Sequence, residues 1–207
     1  MDMFQTAPGV TIPFPEKIKE EFQRYEGSIR FNLSYEKLGA MLDDFLAQLE
    51  EPLFFVLQIP LTQKEEQALR PGENIPAPGW ISERHDKVCY LDGQSKEQIW
   101  AILRQYGELL LADGMSQFAV ASHATGDEMF IMKYKLVDIY CEQPQKYFAL
   151  LEQYGVARTD KLLTVWDTFS REAGGKTRLI EIDGITAYEV YEALAKLGMY
   201  EAKIVDG

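Results

Sequence analysis

The sequence is poor in the residues from which metal and nucleophilic sites are usually built. Among 207 residues there are two histidines, His85 and His123, and two cysteines, Cys89 and Cys141. The cysteines form neither a CxxC nor a disulfide framework, and both fall in strand-like apolar runs, so buried reduced thiols are expected. Histidine ligands usually come with further His or Cys at defined spacing, which is lacking here. No nucleophile elbow surrounds a Ser-His-Asp or Cys-His set. The closest approach to a phosphate loop is SREAGGKT, residues 170–177, which has Ser170 where glycine is required and is followed by the strand-like RLIEID rather than a helix. It is read as a hairpin loop, and no cofactor is expected.

Basic side chains are also scarce. Against 33 acidic residues there are 21 basic ones, a net charge of -12. That field repels phosphate backbones and anionic membranes, which argues against nucleic acid or membrane as a partner. A basic surface on another protein would be attracted instead. No apolar stretch approaches the roughly 20 residues needed to span a bilayer. The N-terminal MDMFQTAPGVTIPFPEK has neither the basic start nor the apolar run of a secretory signal, and a cytoplasmic location is expected.

What the chain does have is the composition of an ordered protein, 46% hydrophobic and 26% charged, with length for one large domain or two of about 100 residues. It also repeats itself. YLDGQSKEQIWAILRQYG, residues 90–107, returns as EIDGITAYEVYEALAKLG, residues 181–198. Asp-Gly makes a tight turn, and Ser95 with Gln98, like Thr186 with Glu189, forms a capping box. Ile99 and Leu103, like Val190 and Leu194, lie four apart on one helix face. Gly198 suits a helix end; Gly107 is either a stop or a weak point in a helix reaching Leu111.

Read coarsely, residues 28–33, 53–59, 87–91 and 116–122 are strands around helices at 34–49 and 95–111. Residues 136–141, 161–167, 178–182 and 199–205 are strands around helices at 144–154 and 186–197. Both halves spell βαββαβ, the ferredoxin-like order, so the expected fold class is α+β with two tandem halves, antiparallel or mixed sheets, and helices packed on the sheet faces. The divisions are an N-terminal extension with a short helix at 1–27, a first half at 28–123 and a second at 124–207. One continuous sheet is the alternative, because QFAVASHATGDEMFIMKYKLVDIYC reads as a hairpin turning near Thr125-Gly126-Asp127 that would join the halves.

Few residues present themselves as a site. The loop RPGENIPAPGWISERHDK, residues 70–87, is long and carries Trp80 as an aromatic anchor and His85. At the hairpin tip His123 lies near Asp127 and Glu128, a potential small metal or acid-base cluster, and a weak zinc site would require His85 to join it. The carboxylate pairs Glu20-Glu21, Asp43-Asp44, Glu50-Glu51 and Glu65-Glu66 point about 100° apart on a helix and are read as solvated faces. Aromatic residues such as Trp100, Tyr106, Tyr134, Tyr140, Trp166 and Tyr188 have the spacing of core and sheet-face positions. The expected function is non-catalytic binding of another protein, possessing the general character of small acidic bacterial regulatory or immunity proteins, with Trp80, His85, His123, Asp127 and Glu128 as candidate contacts. The alternative is a small-molecule sensor or carrier with its ligand between the halves.

Overall fold

A computed structural model describes residues 4–73 and 84–207. After the two-residue strand β1 (Val10–Thr11) and a 3-10 turn at Pro15–Lys17, the chain forms a hairpin of β2 (Glu21–Tyr25) and β3 (Ser28–Phe31). Next come α1 (Tyr35–Gln48), β4 (Leu53–Pro60), α2 (Gln63–Leu69), β5 (His85–Gln94), α3 (Lys96–Ala112) and β6 (Gln117–Ser122). The chain continues through β7 (Glu128–Ile131), β8 (Val137–Tyr140), α4 (Phe148–Gln153), β9 (Ala157–Arg158), β10 (Lys176–Thr177), α5 (Ala187–Ala195) and β11 (Tyr200–Asp206). Nine of these strands build one sheet in the order β11-β5-β4-β6-β7-β8-β3-β2-β9, antiparallel throughout except between β2 and β9. Strands β1 and β10 pair separately. Among the described residues no helix is long and apolar enough to cross a membrane.

Strand alternation gives the sheet two unlike faces. On one, Leu53, Phe55, Leu57 and Ile59 of β4 are wholly buried with Ile29 and Phe31 of β3 and Val137 and Ile139 of β8. Helix α1 places Leu38, Met41, Leu42, Phe45 and Leu46 on one stripe at intervals of three and four, and this stripe covers that face together with α3, α4 and α5. Each large buried side chain contributes on the order of 2 kcal/mol. A second, smaller core of Phe4, Ala7, Val10, Ile12, Ile18 and Val165, with Tyr134 and Phe169 against it, ties the N-terminal segment to the chain around β10.

The α+β class stands, but two elements of the second half do not form as expected. Residues 161–167 hold no strand: Val165–Thr168 is a 3-10 turn. Only a single bridge, Ile182 to Ile185, represents the strand expected at 178–182. In the first half β3 and β4 are separated by β6, β7 and β8, whereas a split βαβ unit leaves room for one intervening strand. The βαββαβ order is therefore not repeated; both halves feed one sheet through the β6–β7 hairpin. The two stretches agree locally only in part. Gly93 and Gly184 both adopt positive φ, 70° and 76°, and both capping boxes form. The expected tight turn forms only at Asp183-Gly184, where Asp183 also has φ 52°; Asp92-Gly93 lies inside β5, beside an irregularity in its register with β4. Residues 21–25, assigned to the N-terminal extension, are a sheet strand.

Candidate functional site

The second sheet face is built from the opposite alternation. Across the strands Tyr200, Tyr90, Val56, Ala119, Phe130, Asp138 and Arg30 stand in register, and one step along run Phe54, Ala121, Glu128, Tyr140 and Ser28. Val56, Val88 and Ala119 form a buried cluster, and among the described residues the partly buried hydrophobics packed against it, Phe54, Tyr90, Phe130 and Val205, come from the sheet itself. Tyr25, Tyr140 and Tyr200 are each at least 41% exposed. This face therefore carries a layer of half-buried rings over a floor of small residues.

At one end the rings connect. His123 lies 4.6 Å from Phe54, Phe54 6.0 Å from Tyr90, and Tyr90 6.4 Å from Tyr200, centroid to centroid. Asp92 closes the set: its carboxylate accepts a 2.7 Å hydrogen bond from the Tyr200 hydroxyl and lies 3.2 Å from His123 Nε2. At the other end Arg30 donates two bonds to Asp138, Nε to Oδ1 at 2.8 Å and Nη2 to Oδ2 at 2.7 Å, and the Tyr140 hydroxyl donates to the same Oδ2 at 3.1 Å. Burial, then the Asp138 charge and hydrogen bond, push the Tyr140 phenol up to about 12. Burial likewise raises Tyr90, with Glu128 and Asp92 adding to it. These phenols stay protonated at neutral pH, so what the face offers a cation is its carboxylates and the π-faces of its rings.

Between the two ends stands Glu128. No hydrogen bond or ion pair reaches its carboxylate among the described residues, and burial pushes the carboxyl above its usual range.

The other sequence candidates are dispersed. Trp80 lies outside the described residues. His85 and His123 do not meet: His123 contacts Asp92, seven residues along β5 from His85, roughly 23 Å at the rise of an extended strand. His85 instead pairs through Nδ1 with Glu66 at 2.7 Å and stands 3.7 Å from Asp206 through Nε2. Glu66 corrects the view that all adjacent carboxylates are solvated, since it is fully buried. Burial alone would raise its carboxyl, but hydrogen bonds from His85 and Arg70 outweigh that and hold it below the usual range. Asp127 turns inward, 5% exposed, and accepts 2.7 Å bonds from Lys146 Nζ and the Tyr147 hydroxyl, a structural clamp that separates it from Glu128 and His123. Among the described residues no group of three or more His, Cys, Asp or Glu is arranged to hold a metal ion. Cys89 and Cys141 are buried free thiols, each pushed up to about 11, chiefly by burial.

The GGKT loop also has a structural explanation. A Cβ at Gly175 would lie 2.3 Å from the Phe169 ring and 2.5 Å from that of Tyr134, so this glycine is required by packing. On the helical side a groove of about 440 Å³ runs between α1 and α3, lined by Tyr35, Leu42 and Asp43 opposite Leu103, Gly107 and Leu111.

Sequence reasoning passed over Phe54, Tyr90, Phe130 and Tyr200. A usable signal was present: LFFVL, residues 53–57, and VCYL, residues 88–91, are continuously apolar, the pattern of strands whose two faces are both hydrophobic. Comparison of the chain with protein-family models, with curated proteins and with solved structures finds no match to any of them.

Proposed function

We propose that this chain is a non-catalytic binding protein, regulatory or immunity-like in role, that docks a basic protein on the second face of its sheet. The single observation that carries this reading is a half-buried, aromatic sheet face bearing Glu128, which no cation among the described residues pairs with. Apolar rings supply desolvated contact area, while the carboxylates and the net charge of -12 supply electrostatic attraction. The buried reduced thiols suit the cytosol as the place of action. A lysate pull-down with tagged wild type and with a Tyr90→Glu/Phe130→Glu variant tests it. One protein of basic surface should be retained by wild type, weakened by salt and lost by the variant. Recovery of the same set by both, or of nothing at low and moderate salt, would refute the reading.

A second reading, carriage of a small molecule, has the α1–α3 groove in its favour, since about 440 Å³ lies within the usual range of ligand sites. Its location differs from the expected cleft between halves. A metabolite panel in a thermal-shift assay decides it, because a ligand at 100 times its Kd adds about 2.7 kcal/mol of stability.

A further inference from the structure

We propose that the anchor of the docked partner is an arginine side chain, its guanidinium forked onto the Glu128 carboxylate and its plane laid against the neighbouring rings. This rests on the docking reading above and specifies the chemistry of that face.

The argument starts from a contrast inside the sheet. Asp138 and Glu128 lie on either side of Tyr140: Asp138 is two residues before it on β8, and Glu128 is directly opposite it on β7. Both carboxylates stand beside aromatic rings, Asp138 opposite Phe130 and Glu128 two residues from it. Asp138, almost wholly buried, receives the two-pronged bond from Arg30. Glu128 is also removed from water, enough for burial to raise its carboxyl, yet no cation of the described chain pairs with it. An isolated carboxylate in such a setting is destabilising, and a charge partner relieves the cost.

Several features select arginine as that partner. The niche is partly desolvated, and a guanidinium sheds its hydration more easily than an ammonium. Its fork fits both oxygens of one carboxylate, as Arg30 does at Asp138. Its flat face stacks on rings, and Tyr140 and Phe130 flank the carboxylate from the adjacent strand and the adjacent outward position. Ala121, the residue facing Glu128 from β6, leaves the other side without a large side chain of that strand. Tyr90 is near enough for the Glu128 charge to raise its phenol.

The test uses the full chain and four small probes: N-acetyl-arginine amide, the uncharged isostere N-acetyl-citrulline amide, N-acetyl-lysine amide and N-acetyl-norleucine amide. Amide chemical shifts are followed by NMR during titration at pH 7 and low salt. The arginine probe should give saturable shifts centred on Ala121, Glu128, Phe130 and Tyr140, at least fivefold tighter than citrulline and at least twofold tighter than lysine. Glu128→Gln should bring arginine down to the citrulline level while its Tm at pH 7 equals or exceeds wild type, because it removes an uncompensated charge. Arginine binding unchanged in Glu128→Gln, shifts scattered over the acidic surface, or lysine equal to arginine would each overturn the proposal. If arginine fails while the pull-down partner is retained by wild type and lost by Tyr90→Glu/Phe130→Glu, the anchor is wrong and the docking face survives. If both fail, the docking reading falls with it.

Discussion

Lys135 sits in the left-handed region, φ 60°, at the turn between β7 and β8, and is buried to 4% exposure. Its ammonium donates to the Leu110 carbonyl at 2.8 Å and the Ser116 carbonyl at 3.4 Å. Leu110 belongs to the last turn of α3, where carbonyl oxygens carry partial negative charge, so the cation acts as a cap there. Burial pushes the group down to about 8, against the opposing pull of Asp113. The folded pKa is thus below the ordinary 10.5: between the two values the unfolded chain holds the proton more tightly, and stability rises with pH. Cys89 and Cys141, raised from 9.0 to about 11, act in the reverse sense, and above pH 9 stability falls as the unfolded thiols ionise. Urea unfolding of wild type and Lys135→Met at half-unit steps from pH 7.5 to 9 separates the two effects. The stability difference between them should change by about 1 kcal/mol from pH 8 to 9, wild type gaining. Parallel profiles would show that Lys135 does not titrate there. The sequence gives no hint of this lysine, since its burial arises from α3 and the β7–β8 turn closing on it from distant parts of the chain.

Local signals identified most elements because the interactions that start and stop them span only a few residues. The boxes at Ser95 and Thr186 are legible as pairs three apart, and the helices follow where expected. The miss at 161–167 has the same origin. KLLTVWD is apolar enough for a strand, but Asp167 accepts from the Thr164 hydroxyl at 2.7 Å and its amide at 2.8 Å, and this short-range box winds the segment into a 3-10 turn. Glycines make opposite predictions at two elements. Helix α3 runs through Gly107, where an added Cβ meets nothing closer than Leu103 Cβ at 3.7 Å. Gly107→Ala should stabilise by about 0.5–1 kcal/mol through helix propensity and a less flexible unfolded chain. At Gly175 the same change drives a methyl into Phe169 and Tyr134 and should cost about 1–3 kcal/mol. Chemical denaturation of the two variants checks both signs; destabilisation at Gly107 would mean that the groove beside it tolerates no added carbon.

At the scale of the whole molecule, both halves contribute strands to one sheet, and its central pair, β6 and β7, joins them across residue 123. Separating the halves would break four strand pairings of that sheet, β11–β5, β6–β7, β8–β3 and β2–β9, and expose the apolar face that α1, α3, α4 and α5 jointly cover. Scanning calorimetry should therefore give one transition, with van't Hoff and calorimetric enthalpies equal, and the fragment 1–123 alone should not fold. Two resolved transitions would contradict this. The sequence by itself determined the class, the positions of most helices and strands, the reduced thiols and the acidic field, because each depends on composition or on contacts a few residues long. Tertiary structure alone decided the strand order, the inward turn of Asp127, the separation of His85 from His123, and the convergence of Phe54, Tyr90, Glu128 and Tyr140 on one face. Those depend on pairing between strands far apart in the chain, and a one-residue slip of any one of β4, β5, β7 or β8 would turn that strand's member of the set to the opposite face.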